Sequence, residues 1–402
     1  MKQPSLYSVR LQSDKAPLWK GNPPLLTALD LELTERCNND CIHCYINLPA
    51  DDSDSATREL STEQIKDILA EAAQLGCLSV RFTGGEPLLR EDFEKLYVFA
   101  RGLGLRVSFF TNATLITREL AALFAQIPPL EPIEITVYGM HQDSYESISR
   151  TAGSYKCHRR GIELLLENEV PFVVKTALLP PNRNEMAEFR NWASTLPWMD
   201  TPPSCTIFFD LRCRRDSEEK NRLIKQLRLT PFQLQKIRSQ NKVDYQREMG
   251  EFCSNFIGPP GESLFPCGAG INRISVDAYG YCQACTLLRH PETVYDLKTG
   301  SLRDGLTNFF PEVRERKAAD PDYLKRCARC FLKGLCEQCP GKSWLEHGTL
   351  DTPVEYFCEI AHFSARDLGL LGEREMGWEV TDWRERIRKR RFQDALEFIV
   401  GP

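Results

Sequence analysis

No stretch of this 402-residue chain approaches the ~18 consecutive apolar residues of a membrane-spanning helix. Its opening MKQPSLYSVRLQSDKAPLWK has no apolar run of the kind that starts a secretory signal. A chain without either is expected in the cytoplasm, with no membrane partner. An excess of positive charge is missing too: 51 Lys and Arg stand against 56 Asp and Glu, for a net charge of −5. A broad nucleic-acid footprint calls for clustered basic residues, so no nucleic-acid partner is expected. Only RERIRKRR near the C-terminus is locally basic, and it reads as a solvated helix face. There are no internal repeats and no low-complexity tracts. At this length two or three domains are expected.

What the chain has in quantity is cysteine, sixteen in all. Thiols stay reduced in the cytosol, so these are read as metal ligands rather than disulfides. The segment ERCNNDCIHCY sets Cys37, Cys41 and Cys44 close together. Soft sulfur ligands suit iron–sulfur clusters or zinc. A structural zinc site wants four protein ligands, and no fourth cysteine follows nearby. His43, between the second and third cysteines, could still close such a site, so these residues alone leave both metals open.

From residue 29 to about 250 strand-like and helix-like stretches alternate. LDLELT (29–34) alternates leucines with polar residues and runs into the cysteine loop. STEQIKDILAEAAQLG then reads as a helix, with Ser61 and Gln64 as a capping box, Ile65, Ile68, Leu69 and Ala72 on one face, and Gly76 as its stop. LSVRFT, LRVSFFT, IEITVYG, FVVKTALLP and CTIFFDL continue the pattern with helical stretches between them. Six such units predict an α/β fold, a parallel sheet curled into a TIM-like barrel or a (β/α)6 partial barrel. Beyond about 215 a charged helical segment breaks the pattern. From 253 to 358 cysteines crowd in and periodicity fades, as in a small domain held by metals rather than by a core. The expected divisions are an N-terminal extension (1–28), the barrel (29–250), a cysteine-rich domain (251–362) and a C-terminal helical segment (363–402).

If the first strand ends at Thr34, the three cysteines lie at the C-terminal mouth of the barrel, where such folds place their chemistry. The second strand ends at the same mouth in TGGEP, whose adjacent glycines let backbone approach a ligand closely. Cys37, Cys41 and Cys44 followed by Gly84, Gly85, Glu86 and Pro87 resemble the radical S-adenosylmethionine (SAM) superfamily. The resemblance implies three cysteines on three irons of a [4Fe-4S] cluster, with the fourth iron open to the amino and carboxylate groups of SAM. Reductive cleavage of SAM would then give a 5′-deoxyadenosyl radical that abstracts a substrate hydrogen. It further implies that His43 fills an aromatic position, that the GGEP backbone holds the SAM amino group, and that Thr111, Asn112 and Thr136 face SAM. Arg150 in YESISRTAGSY would pair with the SAM carboxylate.

The later cysteines resemble the SPASM extension of this superfamily, which carries two auxiliary [4Fe-4S] clusters, for three in all. The resemblance implies Cys327, Cys330, Cys336 and Cys358 on one auxiliary cluster and Cys267, Cys285 and Cys339 on the other, with Cys253 as the candidate fourth ligand. Two departures stand out. Cys336 and Cys339 are one residue closer than the usual pattern. Thr286 occupies the position after Cys285 where sulfatase-maturing members carry an acid. A pair of zinc knuckles is the competing reading of CARCFLKGLCEQC, although its inner gap is short for a zinc ribbon. Cys77, Cys157, Cys205, Cys213 and Cys282 match no motif and are expected as small buried residues.

The function expected from the resemblance is maturation of a ribosomally synthesised precursor peptide by crosslinking, epimerisation or splicease-type excision. An external reductant such as flavodoxin or ferredoxin would supply electrons. The alternatives are tailoring of a small molecule or porphyrin, and a non-catalytic zinc or electron-transfer protein. A leader-binding module is not expected in the 28 residues before the first strand, since segments below about 40 residues seldom fold alone. Leader recognition is therefore expected from a separate small protein.

Overall fold

The structure, a computed structural model, describes residues 25–238, 249 and 258–390. Cys253 and most of the N-terminal extension, on which two of the expectations above fall, lie outside the described residues. The chain forms two compact units.

In the first unit, six strands follow the expected order: β1 (Ala28–Thr34), β2 (Ser79–Gly84), β3 (Arg106–Thr111), β4 (Ile133–Thr136), β5 (Phe172–Ala177) and β6 (Cys205–Thr206). Each is parallel to the next. Helices Thr62–Gln74, Phe93–Gly102, Arg118–Gln126, Ser154–Glu167 and Met186–Ala193 fill the crossovers. The first of these carries the Ser61–Gln64 capping box and buries Ile65, Ile68, Leu69 and Ala72. Gly76, just beyond it, takes a positive φ of 90°. This mostly parallel sheet with surrounding helices is the expected α/β partial barrel.

Strand alternation sorts the residues by face. Leu29, Leu31 and Leu33 join the same apolar cluster as Ile65, Leu69, Val80, Phe82 and Phe109. Each fully buried leucine contributes about 1.5–3 kcal/mol. The intervening positions are polar and form a charged ladder across the strands. Asp30 pairs with Arg81 at 2.8 Å, and Glu134 with Lys175 at 3.0 Å. The Phe110 ring lies between the two cations, 4.6 Å from the Arg81 guanidinium and 3.1 Å from the Lys175 ammonium.

The expected boundary at 251 does not describe the compact units. Three further strands, β7 (Arg273–Val276), β8 (Tyr281–Gln283) and β9 (Val294–Asp296), add to the free edge of β1. β7 runs parallel to β1 with Ala28 opposite Arg273, and β8 and β9 follow antiparallel. Residues 268–286 and 291–311 therefore belong with the barrel, while 228–267, 287–290 and the chain from 312 onward form the second unit. Strands of three and four residues, punctuated by glycine and cysteine, carry too little alternation to announce themselves.

The second unit is built of short pieces: Pro231–Arg238, Pro321–Lys325, 3₁₀ turns at Cys327–Arg329 and Phe331–Gly334, then Pro340–His347 and Glu355–Asp367. Residues 383–390 are helical, as expected for the C-terminal segment. One apolar cluster among the second unit's described residues holds six buried residues, including Phe331, Leu332 and Leu371, and Leu264, Phe265, Leu345, Phe357 and Ile360 are buried besides. All described cysteines are free thiols. Of the unmatched five, Cys77, Cys213 and Cys282 are buried as expected. Cys205 is only half-buried and Cys157 is exposed, because it lies on an outward turn of the helix Ser154–Glu167.

Candidate functional site

The cysteine loop leaves β1 and is tied to the GGEP turn by backbone. Gly85 N donates to Thr34 O at 2.7 Å, and Glu86 N to Arg36 O at 2.9 Å. The approach is so close that a Cβ on Gly84 would stand 2.0 Å from Thr34 O, and one on Gly85 2.2 Å from Arg36 O. Gly84 also has φ near +119°, which disfavours an L side chain. Both amides are thus spent on the neighbouring loop, and at these two residues the turn can offer a ligand only acceptors.

Above this junction lies an open cavity of about 1110 Å³. Cys37, Cys41, Cys44 and His43 line it from the first loop; Gly84, Gly85 and Glu86 from the second; and Thr111, Asn112 and Thr136 from the ends of β3 and β4. The structure therefore brings together ten of the residues singled out in the sequence. Pro87 is not among the lining residues; it opens the 3₁₀ turn Pro87–Leu89. Arg150 does not reach the cavity either. It caps the helix Gln142–Ser149 in the left-handed region, pairs with Asp40 at 3.4 Å and lines an adjacent groove.

The electrostatics are those of a dry site. Burial raises the thiols of Cys37 and Cys41 well above their ordinary value. N–H donors are in place: Asn39 N approaches the Cys37 sulfur, and Asn47 N the Cys44 sulfur, both at 3.4 Å. Burial also lowers His43 to about 4, and its buried Nδ1 has no partner among the described residues. Glu86 is fully buried. Its carboxylate accepts from Thr111 Oγ1 and Asn112 N at 2.8 Å and from Leu88 N at 3.2 Å, yet desolvation outweighs these bonds and pushes it up to about 7. Glu86 thus ties the turn to β3 rather than presenting a free charge.

Sequence reasoning missed Tyr138, Phe110 and Lys175, which also line the cavity. Tyr138 meets the His43 ring edge-on, 5.5 Å between centroids. Lys175 lies between apolar neighbours in FVVKTALLP, and a lone charge on an otherwise apolar strand was the signal that could have found it.

In the second unit, Cys327, Cys330, Cys336 and Cys358 line one pocket, together with Arg326, Lys333, His362 and Trp378. Burial pushes Cys327 and Cys330 up to about 12 and Cys336 up to about 11, and the neighbouring thiols add to the rise. A Cβ on Gly377 would stand 2.7 Å from the Cys330 sulfur, so glycine is needed there. Cys339 lies outside this cavity, at the N-cap of Pro340–His347, and Cys267 is exposed. Cys285 belongs to the first unit, two residues after β8. Thr286 follows it there.

Residues 31–193 match the family model of the Radical SAM superfamily. Among curated proteins, the chain is 29% identical over 167 residues to an AdoMet-dependent heme synthase of Methanosarcina barkeri, covering 42% of this chain and 46% of that protein. It is 31% identical over 164 residues to a PqqA peptide cyclase of Bradyrhizobium diazoefficiens, covering 40% and 41%. The chain thus spans less than half the length of these relatives. The solved structure of native anSMEcpe with bound AdoMet matches with a TM-score of 0.55 at 14% identity, covering 91% of this chain and 100% of that one, which shows a shared fold.

Proposed function

We propose that the protein is a radical SAM enzyme with a SPASM-type C-terminal region, acting on a ribosomally made precursor peptide. The observation that carries the radical chemistry is the single cavity bounded by Cys37, Cys41, Cys44 and the glycine turn. Three thiols, N–H donors aimed at two of their sulfurs and a turn that at Gly85 and Glu86 can offer only backbone acceptors fit a [4Fe-4S] cluster with SAM beside it. When bound, the cluster supplies the electron that splits the SAM sulfonium to a 5′-deoxyadenosyl radical. The chain's own part is to orient and to exclude water. The glycine turn offers carbonyls to the SAM amino group; Thr111, Asn112 and Thr136 border the adenosine side; His43, packed against Tyr138, walls the site. Arg150 would have to leave Asp40 to reach a SAM carboxylate.

The four thiols of the second cavity fit an auxiliary [4Fe-4S] cluster. No three His, Cys, Asp or Glu side chains among the described residues converge as a single-ion site requires. Cys267, Cys285 and Cys339 are proposed for the other auxiliary cluster, with Cys253 as fourth ligand. A flavodoxin or ferredoxin would act as reductant.

The peptide substrate is supported by the peptide cyclase relative. Porphyrin tailoring is the second reading, supported by the heme synthase relative at similar identity. Anaerobic reconstitution should give about twelve irons and twelve sulfides per chain, from three clusters of four. With SAM and dithionite, 5′-deoxyadenosine should form. Mass spectrometry of a peptide encoded beside the gene should show a mass change on turnover; turnover of an iron porphyrin with the peptide untouched would decide for the second reading. Stoichiometric zinc without sulfide would sink both.

A further inference from the structure

We propose that Arg326 sets the reduction potential of the group held by Cys327, Cys330, Cys336 and Cys358, by directing its N–H donors at sulfur inside the cavity. The inference rests on reading those four thiols as the ligands of a [4Fe-4S] cluster.

Arg326 is held by two carboxylates and an aromatic ring, and its Nη1 donates to Asp322 Oδ2 at 3.2 Å. Its guanidinium makes a forked pair with Glu355, Nη1 to Oε1 at 2.6 Å and Nη2 to Oε2 at 2.8 Å, and lies over the Trp378 ring at 4.9 Å. From that position Nη2 also reaches the Cys358 sulfur at 3.5 Å. Nε is buried and has no partner among the described residues. Arginine stays charged and presents five donors in a rigid plane, so a clamped guanidinium with an orphaned N–H beside four thiols is a donor set waiting for an acceptor. A cluster held by these thiols would supply one in its sulfide. The other cation of the wall, Lys333, gives its ammonium to the Gln338 carbonyl.

Reduction adds one electron to the cluster. Hydrogen bonds to sulfur and a nearby positive charge stabilise the more negative, reduced form, so Arg326 raises the potential. Glu355 opposes it: its carboxylate holds the guanidinium in place but offsets part of the charge. Changing the two residues should therefore move the potential in opposite directions, which a merely structural role would not do.

The test is a dithionite titration of reconstituted protein in the Cys37, Cys41 and Cys44→Ala background, followed by electron paramagnetic resonance of the auxiliary signals. At a fixed poise, Arg326→Met should lower the reduced-to-oxidised ratio about tenfold, a fall of about 59 mV for a one-electron couple. Arg326→Lys should fall between Met and the parent, and Glu355→Gln should raise the ratio. Unchanged midpoints, or a shift of the same sign in Arg326→Met and Glu355→Gln, overturn the proposal. So does loss of about four irons from both Arg326 variants, which would assign the guanidinium to holding the site together. If replacing the four cysteines by Ala removes no iron, it is the cluster reading beneath the proposal that fails.

Discussion

The two thiol clusters are held in opposite ways. Cys37, Cys41 and Cys44 sit on a loop anchored to a nine-stranded sheet, whose apolar cluster runs from Leu26 to Phe310. That framework exists whatever the loop binds. Cys327, Cys330, Cys336 and Cys358 come from a 3₁₀ turn, the short loops beside it and one helix, in a unit built of short pieces. On the proposed reading, the fold of the first unit positions its cluster ligands, whereas the second unit would depend on its cluster to complete the fold. A small core seldom supplies enough stability unaided, and metal binding then becomes folding free energy.

The largest expected effect separates these roles. Replacing Cys37, Cys41 and Cys44 by Ala should abolish 5′-deoxyadenosine formation yet leave amide-exchange protection across β1 to β5 intact. Replacing Cys327, Cys330, Cys336 and Cys358 should strip protection from the second unit and spare β1 to β5. Equal loss of protection in both units, read by mass spectrometry, would break the comparison.

Next in size is Gly85→Ala. Its Cβ would be driven into Arg36 O, and overpacking against backbone should cost about 3 kcal/mol and displace the cysteine loop. Urea unfolding measures the first effect, and loss of SAM binding the second. An unaltered midpoint would show that the two loops are not as tightly joined as the 2.2 Å approach implies.

Glu86 gives a pH signature of comparable size. Its carboxyl is raised from an ordinary 4.5 to about 7, so between those values the folded state binds the proton that the unfolded chain releases. Stability should be fully present below about pH 4.5 and decline as pH rises to about 7, by about 3 kcal/mol in all. Glu86→Gln should be less stable overall, having lost an acceptor for Asn112 N, but should flatten that slope. Urea midpoints of the two proteins between pH 5.5 and 7.5 decide it.

The smallest effect belongs to the charged ladder. Lys175→Met leaves Glu134 with its partner gone, but both side chains keep some water contact, at 23% and 31% exposure, so the cost should be about 1–2 kcal/mol. A double-mutant cycle with Glu134→Gln measures the pair itself.

The first unit was legible in the sequence because its signals are local and repeated. The capping box at Ser61, the stop at Gly76 and the leucines of LDLELT each appear where periodicity puts them. The ten lining residues share a cavity because strands that end at one mouth deliver their loops there. Arg150 escaped this logic: its position in the chain says nothing of Asp40, 110 residues earlier, to which it turns. Lys175 escaped for the converse reason, that a strand's alternation tells which face a residue takes but not that the face is a cavity wall. The return of residues 273–276 to the edge of β1 was illegible, since nothing in four residues of strand names a partner so far away.

That return has a consequence in time. Thr27 Oγ1 bonds Asn272 O across 245 residues, and β7 joins β1 in the same place. At about 5–20 residues per second, synthesis leaves the free edge of β1 open for roughly 12–50 seconds after that strand is made. A bare edge strand is an invitation to pair with another chain. The five strands that follow can assemble on the other side of β1 in that interval, but they cannot cover this one. The growing protein thus carries its most association-prone surface next to the loop that bears its first three cysteines, and a cell making it would have reason to keep a chaperone at that edge.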